Sequence, residues 1–223
     1  MDILNIIYED DCILVIDKPA GLMVQPDRMQ NPSLLEKVKE YLKYKSNLDI
    51  YAQHIHRLDR PVCGLVLFAK QRAVLHNLSN QFAERIVQKK YHAITYYAPN
   101  ERVGTLFNYH RKEKKLAKIY DSEIEYSVPV SLDYEISELP NTYYLWNIKL
   151  NTGKFHQIRA QLSHIGCPIL GDEKYNSTQS YFPDAIALQA VSLQIKHPLT
   201  DEDLVFKSTY SFIRVPNTNL GPQ

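Results

Sequence analysis

The chain is expected to adopt an α+β fold, in which many strands are interrupted by a few helices. Two features of the sequence point to the class. Strand-like runs recur along the chain, whereas helical periodicity shows in only a few places. The two also fail to alternate in the regular βαβα order of a doubly wound sheet. A first strand is expected around Cys12–Ile16, followed by a turn at Pro19-Ala20-Gly21. Ser33 and Glu36 have the spacing of a capping box, opening a helix with Leu34, Leu35, Val38, Tyr41 and Leu42 on one face. An apolar strand should run from Gly64 to Lys70, then a helix with Leu75, Leu78, Phe82 and Ile86 at three- and four-residue spacing. Tyr91–Tyr97 reads as a further strand. Residues 99–140 contain short β-like pieces such as Ser122–Val130, whose pairing the pattern does not define. Alternation returns at Tyr143–Leu150, and Thr152-Gly153 turns the chain into a helix from about His156 to Gly166, with Ile158 and Leu162 on a common face. The final segments, Ile186–Lys196 and Leu204–Tyr210, read as a β-hairpin.

At 223 residues and 25.9 kDa the chain can bury one sizeable core, or two subdomains sharing a sheet, without a staple. Cys12, Cys63 and Cys167 are odd in number and show no C-x-x-C spacing, so neither a disulfide framework nor a zinc site is indicated. The eight histidines form no H-x-x-x-H or H-E-x-x-H pattern, which argues against a catalytic metal. Met1-Asp2-Ile3-Leu4-Asn5 lacks a basic leader, and no apolar run reaches the roughly 18 residues of a membrane span. A soluble cytoplasmic protein with no membrane partner is expected.

The formal net charge is only +1, but it is unevenly spread. Between Arg85 and Lys118 there are nine Lys or Arg against two acids, Glu101 and Glu113. Arg111, Lys112, Lys114, Lys115 and Lys118 are the densest part, a candidate surface for steering a polyanion. A solvated loop would have the same composition.

The most informative stretch is His56-Arg57-Leu58-Asp59-Arg60, followed at once by Gly64-Leu65-Val66-Leu67-Phe68-Ala69. A carboxylate between two cations is biased toward its ionised, nucleophilic form, and the adjoining strand would hold it at a rigid edge. Asp59 is therefore the candidate catalytic residue, although Asp and Arg neighbours also make ordinary surface ion pairs and the local pattern needs support from elsewhere in the chain. Cys63, the obvious thiol rival, adjoins an apolar strand and is expected to be buried and inert.

Further segments complete an ordered set: Lys89-x-Tyr91-x-Ala93, Thr152-Gly153-Lys154-Phe155-His156-Gln157-Ile158-Arg159, and Ile165-Gly166-Cys167-Pro168-Ile169-Leu170-Gly171-Asp172-Glu173-Lys174-Tyr175. Glu9-Asp10-Asp11 and Lys18-Pro19-Ala20-Gly21-Leu22 precede them; Leu188-Gln189-Ala190 and His197-Pro198-Leu199-Thr200 follow. From about residue 8 to about residue 206 the chain resembles the RNA pseudouridine synthases of the RluA class. It departs from their pattern at Val62-Cys63, where Thr-Ser is usual, at Phe155 in place of Thr, and at Gln161, Cys167 and Gln189, where His is common.

The resemblance implies a large mixed, mostly antiparallel sheet with a few flanking helices, its two halves meeting at an active-site cleft, and a cofactor-free isomerase that converts uridine in structured RNA, an rRNA or tRNA stem-loop, to pseudouridine. Residues 1–223 would form a single catalytic domain without the S4 RNA-binding module that many relatives carry in front, acting as a monomer. Asp59 would be the nucleophile, at ribose C1′ or at uracil C6, with Arg159 as its counter-charge and Tyr91 stacking on the base and relaying a proton. Arg57 would fill the gap left by the extruded base. His56, Lys89 and the basic stretch would contact RNA. The alternative is a noncatalytic RNA-binding or RNA-folding factor that keeps the fold.

Overall fold

The computed structural model describes residues 4–27, 29, 31–48 and 50–210. Eleven strands and three α-helices occur among them, the α+β class expected. In chain order these are β1 (Ile6–Glu9), β2 (Ile13–Lys18), α1 (Leu34–Ser46), β3 (Gln53–His54), β4 (Cys63–Ala69), α2 (Arg72–Ala83), β5 (Gln88–Thr95), β6 (Val103–Glu113), β7 (Leu116–Tyr120), β8 (Val128–Leu139), β9 (Tyr143–Leu150), α3 (Gln157–His164), β10 (Leu188–Lys196) and β11 (Asp203–Lys207). No helix among the described residues is long and apolar enough to cross a membrane.

The chain divides into two compact units. The first comprises residues 1–89 and 190–209, the second residues 90–189 and 210–223. In the first unit the strand order is β1-β2-β4-β10, with β11 on β10 and β3 on β4. All six residues of β2 are buried, Asp17 and Lys18 included, which explains why its first four, Ile13–Ile16, read as a continuous apolar run and not as an alternating one. One face of this sheet carries Ile13, Val15, Leu65, Leu67, Leu193, Ile195 and Phe206, packed with Val74 and Leu78 of α2. Successive strand residues point to opposite faces; Leu14, Ile16, Val66 and Phe68, on the other face, are equally buried.

Helix α1 starts where the sequence places it: the Ser33 side chain accepts from Glu36 N, and the Glu36 carboxylate accepts from Ser33 N at 3.0 Å. Helix α2 ends earlier than expected. Arg85 turns left-handed at φ 61°, its N–H bonds the Phe82 carbonyl, and the Ile86 N–H bonds that of Gln81, a closed C-terminal motif. Ile86 consequently leaves the helix and is exposed.

The second unit is an antiparallel array in the order β5-β9-β8-β6-β7. Trp146 is its most voluminous fully buried side chain, tilted against Tyr134 at 5.0 Å, with Nε1 donating to Thr95 Oγ1 at 2.8 Å. Helix α3 packs on β7 and β6 through Ala160, beside Ala117, Ile119, Val130 and Tyr175. Two strand readings need correction. β1 escaped notice because four half-buried residues carry too little periodicity. Ser122–Ser127 is a loop, with only Val128–Val130 of that segment entering β8.

The acidic opening segment is a structural anchor. Glu9 accepts from Tyr41 Oη, Lys45 Nζ and Lys70 Nζ at 2.8, 2.8 and 2.9 Å. Asp10 accepts from the backbone of Cys12 and Ile13, from Tyr8 Oη and from His197 Nε2. Burial alone would raise the Glu9 pKa, but the hydrogen bonds from Lys45, Lys70 and Tyr41 outweigh it and hold the carboxyl at about 2. A depressed carboxylate contributes stability above its unfolded value of 4.5 and loses it as pH falls toward 2. Allowing for the exposure of Lys45, Glu9→Gln is expected to lower stability at neutral pH by roughly 2 kcal/mol. Melting curves taken from pH 7 to pH 2 should show the difference between variant and wild type vanish within that acid window.

Candidate active site

Asp59 lies half-buried in a loop of the first unit that is clamped from several sides. Its carbonyl accepts from Val62 N at 3.1 Å, closing a tight turn. On one side of it the Gly21 N–H donates to the Arg60 carbonyl at 2.8 Å, and Arg60 Nε donates back to the Gly21 carbonyl at 2.9 Å. Beneath both loops lies Lys18, fully buried, whose ammonium donates to the carbonyls of Pro19, Leu22 and Arg60 at 2.8, 2.8 and 3.3 Å. Burial pulls the Lys18 pKa down to about 8, against the opposing influence of Cys63 and of the Asp59 carboxylate. On the other side of the loop the His56 ring stacks on Phe82 at 5.1 Å, and Nε2 accepts from Leu67 N at 3.3 Å. Burial first, then Lys89 and His54, lower its pKa to about 3, so His56 contributes shape and hydrogen bonding but no positive charge.

The loop ends at Gly64, which explains the glycine in the motif. Its φ is +115°, and a Cβ there would come within 2.3 Å of the Ala190 carbonyl oxygen. Val62, where Thr is usual, is buried. Cys63 is half-buried, and burial pushes its thiol up to about 11, as an inert cysteine requires. Arg57 is exposed at the loop surface, close enough to His54 to depress its pKa further. Lys89 lies over the Phe82 ring at 5.7 Å, so His56 and Lys89 meet the same aromatic.

The other expected residues belong to the second unit. Tyr91 is buried on β5, opposite Ile148 of β9. Arg159 is buried on α3 in a bidentate pair with Asp172: Nε to Oδ2 at 2.7 Å and Nη2 to Oδ1 at 2.8 Å. Its guanidinium also lies over the Tyr175 ring at 5.0 Å. Asp172 and Tyr175 stand in the quoted motif but received no role from the sequence; a buried acid two residues after an Ile-Leu pair was the available signal. The rest of the Thr152–Arg159 segment forms a polar network. Gln157 Oε1 accepts from Thr152 Oγ1 and Lys154 N, and Gln157 Nε2 donates to Gln161 Oε1. Gln161 Nε2 reaches Asn108 Oδ1 at 2.9 Å, tying α3 to β6. Gln161, one of the departures from the family pattern, is thus completely buried and hydrogen-bonded. Gln189 is buried with Nε2 on the Tyr210 carbonyl.

The basic stretch occupies the β6–β7 hairpin, with Lys114 and Lys115 exposed at its turn. It is not uniformly cationic: Glu113 pairs with both Arg111 and Lys118. Asp10, Cys12 and His197 approach within 4.8 Å of one another, but the Asp10 carboxylate already accepts four hydrogen bonds and His197 Nδ1 is engaged by Thr200 N. The closing His-Pro-Leu-Thr motif is therefore a latch onto the opening Glu-Asp-Asp motif.

A family model described as RNA pseudouridylate synthase matches residues 12–164. The chain is 37% identical over 176 residues to "Ribosomal large subunit pseudouridine synthase C" of Rickettsia prowazekii (strain Madrid E), covering 78% of this chain and 57% of that protein, so it spans little over half of this relative's length. It is 28% identical over 227 residues to "tRNA pseudouridine synthase C" of Vibrio parahaemolyticus, covering 92% and 90% of the two chains. The solved structure of human RNA pseudouridylate synthase domain containing 4 shares the fold, with a TM-score of 0.75 over 91% of this chain and 87% of that one at 22% identity. The matched span includes Asp59, Tyr91 and Arg159, and the chain belongs to the RNA pseudouridylate synthase family, in the RluA class that its ordered motifs resemble.

Proposed function

We propose that this protein isomerises uridine in structured RNA to pseudouridine, with Asp59 as the nucleophile. The observation that carries this reading is the family match across residues 12–164, with Asp59 in a loop whose backbone is held by Lys18 and Gly21. The reaction breaks the N1–C1′ bond, turns the base, forms a C5–C1′ bond and releases the C5 proton, so it needs no redox cofactor. A carboxylate can add to C1′ or to C6 and leave again without net consumption. The target base must first be extruded from its stack, at a cost of a few kcal/mol. Arg57, long and exposed, suits the vacated position, and Tyr91 suits stacking on the uracil and passing on the proton. Arg159 is the proposed counter-charge of the nucleophile, with Asp172 fixing the plane of its guanidinium. Lys89 and the lysines of the β6–β7 hairpin suit contacts with RNA phosphates, with His56 shaping the loop. The relatives' names include both a ribosomal and a tRNA enzyme, and a stem-loop of either kind is the proposed substrate class.

Tritium release from RNA labelled at uridine C5 tests the reaction. Wild type should release tritium, Asp59→Asn should not, and Arg159→Ala should nearly match it; RNA binding without release by the wild type would leave only a binding protein. Asp172→Ala strands a buried guanidinium, and its stability should fall by roughly 3–5 kcal/mol in denaturant titrations.

A further inference from the structure

Beside the motif residues of the second unit lies an aromatic platform that the reaction as described does not use. Phe155 stacks almost flat on His156, with ring centroids 3.7 Å apart and planes 20° from parallel. His156 is held in turn. The Tyr175 oxygen accepts the Ala117 N–H at 2.9 Å, leaving its proton for His156 Nδ1 at 2.8 Å, and the two rings meet edge to face at 5.6 Å. The Phe155 carbonyl is bonded to His110 Nε2 at 2.9 Å, so β6 fixes the backbone beneath the ring. The platform is pre-organised from both ends, yet Phe155 remains half-buried.

Cations gather around it. Lys112 Nζ lies over the Phe155 ring, 4.7 Å from its centroid; Lys154, next in the chain, and Lys174, whose charge is felt at His156, are exposed. Burial first, then Arg159, Lys174, Lys112 and His110, drive the His156 pKa to about 3, so the imidazole under Phe155 stays neutral. Of the carboxylates on the adjoining segments, Asp172 is engaged by Arg159 and Glu113 by Arg111 and Lys118, while Glu173, beside Lys174, is exposed to solvent. A flat ring backed by an imidazole and overlain by a flexible ammonium group matches a nucleotide: Lys112 swings from the ring to the phosphate as the base takes its place on the π-face. Threonine, usual at this position in the resemblance, has no such face.

We propose that Phe155, with Lys112 and Lys174, forms a subsite for an unpaired nucleotide of the substrate RNA other than the target uridine. The proposal rests on the reading that the protein acts on RNA. Its ligand is one base face and one backbone phosphate, and its effect is on affinity and on the choice of sequence around the target.

Equilibrium binding of the Asp59→Asn protein to oligouridylate, and to an abasic strand of equal length, tests it without requiring chemistry. Phe155→Thr should weaken oligouridylate binding about tenfold, leave abasic binding unchanged and keep the salt slope. Lys112→Ala should reduce the slope of log K against log salt by about one phosphate's worth. Phe155→Trp should retain affinity, whereas Phe155→Leu, which still fills the apolar pocket, should lose it as Phe155→Thr does. Wild-type affinity in a folded Phe155→Leu protein, checked by its melting curve, would overturn the proposal, as would equal losses on the two strands. Failure of the isomerase reading is separate: it shows as absent tritium release while affinity still tracks residue 155.

Discussion

A fully buried ammonium, that of Lys18, organises the first unit. It meets no carboxylate at bonding distance among the contacts described above but donates to three backbone carbonyls, two from its own turn and one from the loop that carries Asp59. Placing a charge there is costly, as its lowered pKa indicates, and it is tolerated because each proton finds an oxygen. Those carbonyls belong to loops that have no ladder of their own, so the lysine substitutes for secondary structure where the chain must be both irregular and rigid. Lys-Pro-x-Gly and His-Arg-Leu-Asp, separated by almost forty residues in sequence, are in this sense one object.

The second unit solves the same problem with a guanidinium. Arg159 is held in plane by both oxygens of Asp172 and covered by Tyr175, so its position is set by residues following it in the chain. Tyr175 also supports His156, and His156 supports Phe155. The motif that supplies the arginine therefore has a continuous aromatic spine running from the buried ion pair to the cationic hairpin. A buried pair of this kind offers orientation more than net stability, since the desolvation of both charges offsets much of their attraction.

Much of the fold was legible because it rests on short-range rules. The Ser33 capping box, the apolar run of β4 and the alternation of β9 each declare themselves within a few residues. What escaped was set by partners far along the chain. β1 is a strand because β2 pairs with it, and Ser122–Ser127 alternates like a strand yet has no partner ladder among the described residues. Ile86 fits the helical spacing, but the left-handed Arg85 removes it from α2. Asp59, Tyr91 and Arg159 could be proposed from their motifs, whereas the contacts of Asp172 and Lys18 are made by residues that come near them only in three dimensions.

The first unit is discontinuous: β10 and β11, which supply Leu193, Ile195 and Phe206 to its core, follow the whole of residues 90–189. Synthesis on a ribosome proceeds from the N-terminus, so the segment bearing Asp59 emerges long before the strands that complete its hydrophobic layer. During that interval β4 has β2 and the two-residue β3 but lacks β10, and Gly64 lacks the Ala190 backbone against which it is shaped. In the second unit, by contrast, the strands β6 to β9 and helix α3 all lie within the single run 90–189. Maturation of the Asp59 loop is thereby deferred until β10 and β11 have emerged, which separates the birth of this carboxylate from the assembly of its surroundings.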